Sequence, residues 1–484
     1  MTARRLGVFG AGALAVLAIA CERGGGSNAD SADVAKLPEW YAPPPAVRSY
    51  PSSSQTIREW IRSGDTASIR AHAWDIWESI TTNAPQNASM PVWETWYSGH
   101  EIFDAAPNST ADLVRRAPRH RFEVARQIGH TKLGRRIGPD FDERWFGFNR
   151  YTRPTARFIY LNRLWDYQVL KDTNDAFNRL QTPVAQREVK VSRGEVDAES
   201  IVLKAVFQFI NGTQASCIPY WNGHTSATST NPEQPIAMTW KQFVIVDPTG
   251  TLDTAKTASG AIGCPPGNFD VVPLSSFYYV TITQEMADSM SAFAVEGGDD
   301  LGAGNDTAQD SITKMVKAGN IALLAAMHVT GKEIVEWTWQ TFWWSPTPND
   351  SLGFDRPSTI GAPWNNYQMN TAYYMVSPAG SGPKGTPRVA YNPYLETSLC
   401  GNQPTCADPT WHGISTNCMS CHRQAAWKDS TFTVNGQTFY FTGPPYVPAQ
   451  YVDKGNVPTF GTYTKTDFLW SVAIRTRNFP KAAQ

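Results

Sequence analysis

Beyond residue 20 the chain has no apolar run long enough to cross a bilayer, which takes about 20 residues. No spanning helix is therefore expected in its body. Neither sign of charge is in excess: 42 Lys and Arg stand against 43 Asp and Glu. Nothing in that balance suggests a basic surface for nucleic acid or anionic lipid, so no nucleic-acid partner is expected. Cysteine is scarce, at seven in 484 residues, and each one can be given a role.

What the chain does have is Asn417-Cys418-Met419-Ser420-Cys421-His422. Two thiols three positions apart lie on one turn of a helix, and an imidazole follows directly. Such a pair can be half a zinc site, a dithiol redox couple or a plain disulfide. A tetrahedral zinc site needs a second close pair of ligands, and His412 and His422 make an awkward one. A thioredoxin-like couple follows a strand, whereas Asp408-Pro409-Thr410-Trp411-His412-Gly413 reads as loop. The six residues resemble the haem-binding site of bacterial c-type cytochromes. The resemblance implies thioether bonds from Cys418 and Cys421 to one covalent haem c, with His422 as proximal iron ligand. It is local. Small cytochromes c take a methionine ligand from a loop after the motif, and no methionine follows Met419 here, so their fold is not expected.

At the other end, Arg4-Arg5 precede an apolar run from Leu6 to Ala20, and Cys21 follows. The run is too short to span and reads as a secretory signal. Ala18-Ile19-Ala20 before a cysteine resembles a bacterial lipoprotein signal. That resemblance implies lipidation of Cys21, export to the periplasm and anchoring to a membrane, with Glu22 favouring the outer one. With Cys21 on a lipid and Cys418 and Cys421 on haem, four cysteines are left. An oxidising compartment lets them pair, and Cys217–Cys264 with Cys400–Cys406 is the most local arrangement. Cys400 and Cys406 do not form a second haem site: the spacing is wrong and Ala407 stands where a histidine belongs.

The expected class is α+β, with a signal peptide over 1–20, a flexible tether over 21–45 and a helical region over 46–185. A β-rich, sandwich-like region over 186–390 and a small mixed haem c segment over 391–484 complete it. Apolar spacing predicts helices over Ser68–Ile80, capped at Asp65-Thr66, and over Ala156–Trp165 after Pro154. Ile201–Ile210, Phe243–Val246 and Phe277–Ile282 read as strands, with a short helix over Thr283–Phe293. Ile321–Val329 and Ile334–Trp344 read as a hairpin turning at Thr330-Gly331-Lys332-Glu333. On its second strand Trp337, Trp339, Thr341 and Trp343 share one face, an aromatic surface for a sheet core or a flat ligand such as a porphyrin. The motif helix is expected to run on through Trp427, Thr431–Phe441 to form a hairpin, and Thr466–Arg475 a closing helix capped by Thr466 or Asp467.

The second axial ligand is the open question. His328 and Met375 are the leading candidates, with Met369 and His412 behind them. Arg423 is a candidate partner for a haem propionate, and Lys332, Glu333 and Glu336 for proton donation. Three functions follow: electron transfer with a redox partner protein, a peroxidase- or oxygenase-type oxidoreductase acting on a small molecule with His328 as the distal residue, or a haem-based ligand sensor. The mass of protein beyond what one haem needs argues for a substrate or partner site.

Overall fold

The computed structural model describes residues 41–103, 120, 122–124, 145–221, 242–288, 317–350, 352–396, 416–428, 431–434, 437–440 and 462–475. The chain divides into Met1–Pro38 and a body, Glu39–Gln484, to which all described residues belong. The class is α+β. Cys21, Cys400, Cys406 and His412 lie outside the described residues. Among those described, no helix is long and apolar enough to cross a membrane.

The body is organised on one eight-stranded antiparallel sheet. Its strands are β1 (Tyr97–Ser98), β2 (Glu123–Val124), β3 (Trp145–Tyr151), β4 (Asp197–Ile210), β5 (Tyr279–Thr281), β6 (Ile321–Lys332), β7 (Thr338–Trp344) and β8 (Tyr367–Thr371). They run in the order β8-β7-β6-β4-β3-β1, with β5 paired to β6 and β2 to β3. The stretch 46–185 thus supplies strands as well as helices. β3 forms because Phe146 and Phe148 alternate onto one face, where Phe146 stacks on Phe209 at 4.6 Å and Phe148 on Phe207 at 5.4 Å. Gly147 between them permits close approach: a Cβ there meets the Ala205 carbonyl oxygen at 2.6 Å.

Helix α1 (Ser54–Ser63) leads into α2 (Thr66–Thr81), and α3 (Arg153–Leu161) and α4 (Tyr167–Arg179) follow β3. The Asp65 side chain caps α2, accepting from the Ser68 amide at 3.0 Å. One face of α2 packs Trp74 and Trp77 on the sheet, with Trp77 stacked 4.2 Å from Phe342. Its other faces are buried too, and their polar groups have partners. Arg70 forks onto Asp355 at 2.5 and 2.6 Å, and Asp75 accepts from Ser49 and Arg48. His72 lies between Tyr373 Oη (2.7 Å) and Glu333 Oε1 (3.2 Å).

Three expected elements change shape. The β6–β7 turn comes later than the Thr330–Glu333 signal, at Glu333–Trp337, and Trp337 sits there at φ 62° instead of on the strand. The motif helix stops at His422, because Ala426–Trp427 pair with Thr464–Lys465 as a small antiparallel ladder. The closing helix starts at Trp470. Asp467 does not cap it; its carboxylate is drawn to Lys332. The helix over Thr283–Phe293 is seen at 284–288, and its remainder lies outside the described residues. Thr431–Val434 and Gln437–Tyr440 pair as a hairpin.

Candidate functional site

Residues Cys418–His422 form a single helical turn, α6, opened by Asn417. The Asn417 carboxamide accepts from the Ser420 amide at 3.1 Å and donates to the Arg388 carbonyl at 3.0 Å. It therefore caps the turn and ties it to the preceding loop at once. Helical spacing puts residues 418, 421 and 422 on one side. Met419 and Ser420 are buried against the body, while Cys418 and Cys421 are half-buried free thiols. Burial raises both: Cys421 is pushed up to about 12 and Cys418 well above the usual thiol value, and the nearby Glu396 carboxylate adds to each.

His422 Nδ1 lies 2.9 Å from the Phe468 carbonyl oxygen. A carbonyl only accepts, so Nδ1 carries the proton and Nε2 keeps its lone pair. Burial pushes the imidazole down to about 3, against the opposing effect of that hydrogen bond, and His328 and Lys204 lower it further. The ring is held neutral. Trp339 packs beside it, with ring centroids 4.3 Å apart.

The sheet face below α6 carries a polar row. Asn149 on β3 pairs with Lys204 on β4, Lys204 with His328 on β6, His328 with Thr341 on β7, and Thr341 with Asn370 on β8. Paired residues share a face, so these five cross the sheet as one line, and all but Thr341 are partly accessible. Their neighbours two residues along, such as Val202, Val206, Trp339 and Trp343, are buried and apolar. The short helix α5 (Pro393–Glu396) braces the row. Glu396 Oε1 lies 2.8 Å from His328 Nε2, and Asn392, just before the helix, donates to Thr341 Oγ1 at 2.7 Å.

The candidates separate on this geometry. His328, Cys418, Cys421 and His422 share one face of the sheet. Met375 is buried in the same apolar cluster as Met419 and Trp339. Met369 pairs with Phe342 on the opposite face, among the residues packed on α2. Arg423 follows α6, its guanidinium 5.8 Å from the Phe468 ring centre. Lys332 and Glu333, read from sequence as turn charges, are fully buried, whereas Glu336 meets Arg58 at the surface. Cys217, on a strand of a separate four-stranded sheet, forms a disulfide with Cys264, Cα–Cα 5.0 Å. Nothing in the sequence marks Glu396 or Asn392 as part of the site, and only β alternation on β4, a polar residue amid apolar ones, marks Lys204.

Among the described residues, no group of three or more His, Cys, Asp or Glu side chains is placed to hold a bare metal ion. The donor set at α6 has the chemistry of haem c attachment: two free thiols and one neutral imidazole with its Nε2 lone pair available. No protein-family profile matches the chain, and no curated protein and no solved structure is significantly similar to it.

Proposed function

We propose that the protein is an exported, single-haem c-type cytochrome, lipid-anchored in the periplasm through Cys21, that passes electrons to a redox partner protein. Cys418 and Cys421 would hold the haem c through thioethers, and His422 would ligate its iron. The observation that carries this reading is the hydrogen bond from His422 Nδ1 to the Phe468 carbonyl. It fixes the tautomer that a ligating imidazole needs and orients the ring, the usual outer-shell arrangement of a metal-bound histidine. The raised thiols speak against a dithiol redox couple, whose attacking cysteine is activated by a lowered value. When bound, the haem supplies one-electron chemistry. The chain's own residues anchor it, keep His422 neutral and place the Glu396 carboxylate beside the thiols. Arg423 is the proposed propionate partner.

A second reading has its own support. The His328–Glu396 pair is an acid–base couple on a partly accessible polar row, the type of group that moves protons in a haem-dependent oxidoreductase. Visible spectra of protein exported in a host with cytochrome c maturation machinery separate the two. Sharp low-spin bands on reduction support electron transfer, with His328 and Met375 as the candidate sixth ligands. A high-spin spectrum that shifts with carbon monoxide or peroxide supports the oxidoreductase or a ligand sensor. Absence of haem bands refutes all three.

A further inference from the structure

The Phe468 carbonyl that meets His422 belongs to an unusual piece of backbone. Asp467 and Phe468 are consecutive non-glycine residues at φ 47° and 71°, a region that L side chains enter at a cost. Two such residues in succession persist only where their surroundings hold them. Upstream, the chain is pinned by the Thr464–Lys465 ladder and by the Thr466 amide on the Ala425 carbonyl at 3.0 Å. Downstream, Thr466 Oγ1 closes on the Leu469 carbonyl at 2.8 Å. Between them Asp467 is a charged anchor. Its Oδ1 accepts from Lys332 Nζ at 2.6 Å and its Oδ2 from the Val191 amide at 3.3 Å.

Lys332 and Asp467 are both completely buried. Lys332 is itself held: its ammonium donates to the Val335 carbonyl at 3.0 Å and lies 4.9 Å from the centre of the Trp337 ring. Burial alone drives both groups towards their neutral forms, lowering Lys332 and raising Asp467, and each is opposed by the other's charge. A pair placed this deep is weak evidence for stability. Its position is informative: it joins the last residue of β6 to the residue just before the carbonyl that orients His422.

We propose that Lys332 and Asp467 are positioning residues for the axial ligand: the pair locks the Asp467–Phe468 backbone so that the Phe468 carbonyl stays on His422 Nδ1, and this sets how basic a ligand His422 is. The inference rests on the haem c reading above. A firmly held acceptor gives the imidazole more anionic character, which stabilises the oxidised iron and lowers the reduction potential. Releasing the carbonyl raises the potential.

Two charge-neutral double variants of the full exported protein test this. Lys332→Met/Asp467→Ala removes the pair without changing its net charge, and alanine does not favour positive φ. Lys332→Met/Asp467→Gly is equally neutral, but glycine adopts positive φ freely. The readouts are the reduction potential and the solvent exchange of the His422 ring N–H by NMR. Positioning predicts an upward potential shift and faster exchange in the alanine variant, with a smaller change in the glycine variant. Both variants keeping the parent potential and exchange rate overturn the proposal. So does a glycine variant displaced as far as the alanine one, because the backbone lock then has no part in the effect. A parent protein without covalent haem instead refutes the haem reading, a distinct result.

Discussion

The Phe468 carbonyl oxygen and His422 Nδ1 lie 2.9 Å apart across 46 residues of sequence. This contact gives the histidine a fixed tautomer and orients its ring. The thiols of Cys418 and Cys421 sit on the same short turn, so α6 and one backbone carbonyl bring together the groups to which the proposed haem c reading assigns attachment and iron ligation.

If the thiols are the attachment points, a Cys418→Ala/Cys421→Ala variant exported with maturation machinery carries no covalent haem. Haem staining of a denaturing gel reads this directly. A stained band of parent intensity means that attachment lies elsewhere.

Glu396 is the carboxylate felt by both thiols. If the haem c reading holds, a negative charge near the thiols stabilises the oxidised, more positive iron, so Glu396→Gln is expected to raise the reduction potential. Potentiometric titration checks the sign. An unchanged or lowered potential means that Glu396 does not act on the iron.

Asp355 fastens α2 through the Arg70 fork and through Trp74 Nε1 at 2.9 Å. Burial pushes this carboxyl up, but the hydrogen bonds and the Arg70 charge outweigh it and leave it below the ordinary 3.8. The folded form therefore prefers the carboxylate. Its stabilisation is complete above the unfolded value and is lost as pH falls through the lower folded one. Asp355→Asn is expected to cost about 1–3 kcal/mol at neutral pH and to flatten the acid limb of the stability curve. Urea melts at pH 7 and below pH 4 measure both effects; parallel curves for parent and variant contradict the assignment.

The Cys217–Cys264 disulfide spans 47 residues. Replacing both cysteines by serine is expected to destabilise the protein by about 2–4 kcal/mol through the freer unfolded chain. Thermal melts of the oxidised parent and the double variant provide the comparison.

The parts legible in the sequence are those set by neighbours. The α2 cap at Asp65 and the long β4 ending before Asn211-Gly212 follow from local pattern; a helix forms at Pro154 too, but it runs Arg153–Leu161, taking in the proline in its first turn and stopping short of Trp165. The parts that were not legible depend on distant partners. Lys332 and Asp467 are 135 residues apart, and nothing near either one marks it as buried. Asp467 reads as a helix cap because aspartate before an apolar run is a good cap; an ammonium from β6 takes its carboxylate instead. Glu396 and His328 are 68 apart, and α5 has too few residues to show a period. The aromatic face of β7 is shared out. Trp339 lies against His422, Trp343 packs with Tyr394 and Leu395, and Trp337 leaves the strand to lie beside Lys332.

The central claim is tested most directly by the mass of the peptide that contains Cys418 and Cys421, cut from protein exported in a host that matures c-type cytochromes. One haem is expected on that peptide, bound through both cysteines, and none elsewhere in the chain. A peptide of unmodified mass, with the cysteines reduced or joined as a disulfide, contradicts it.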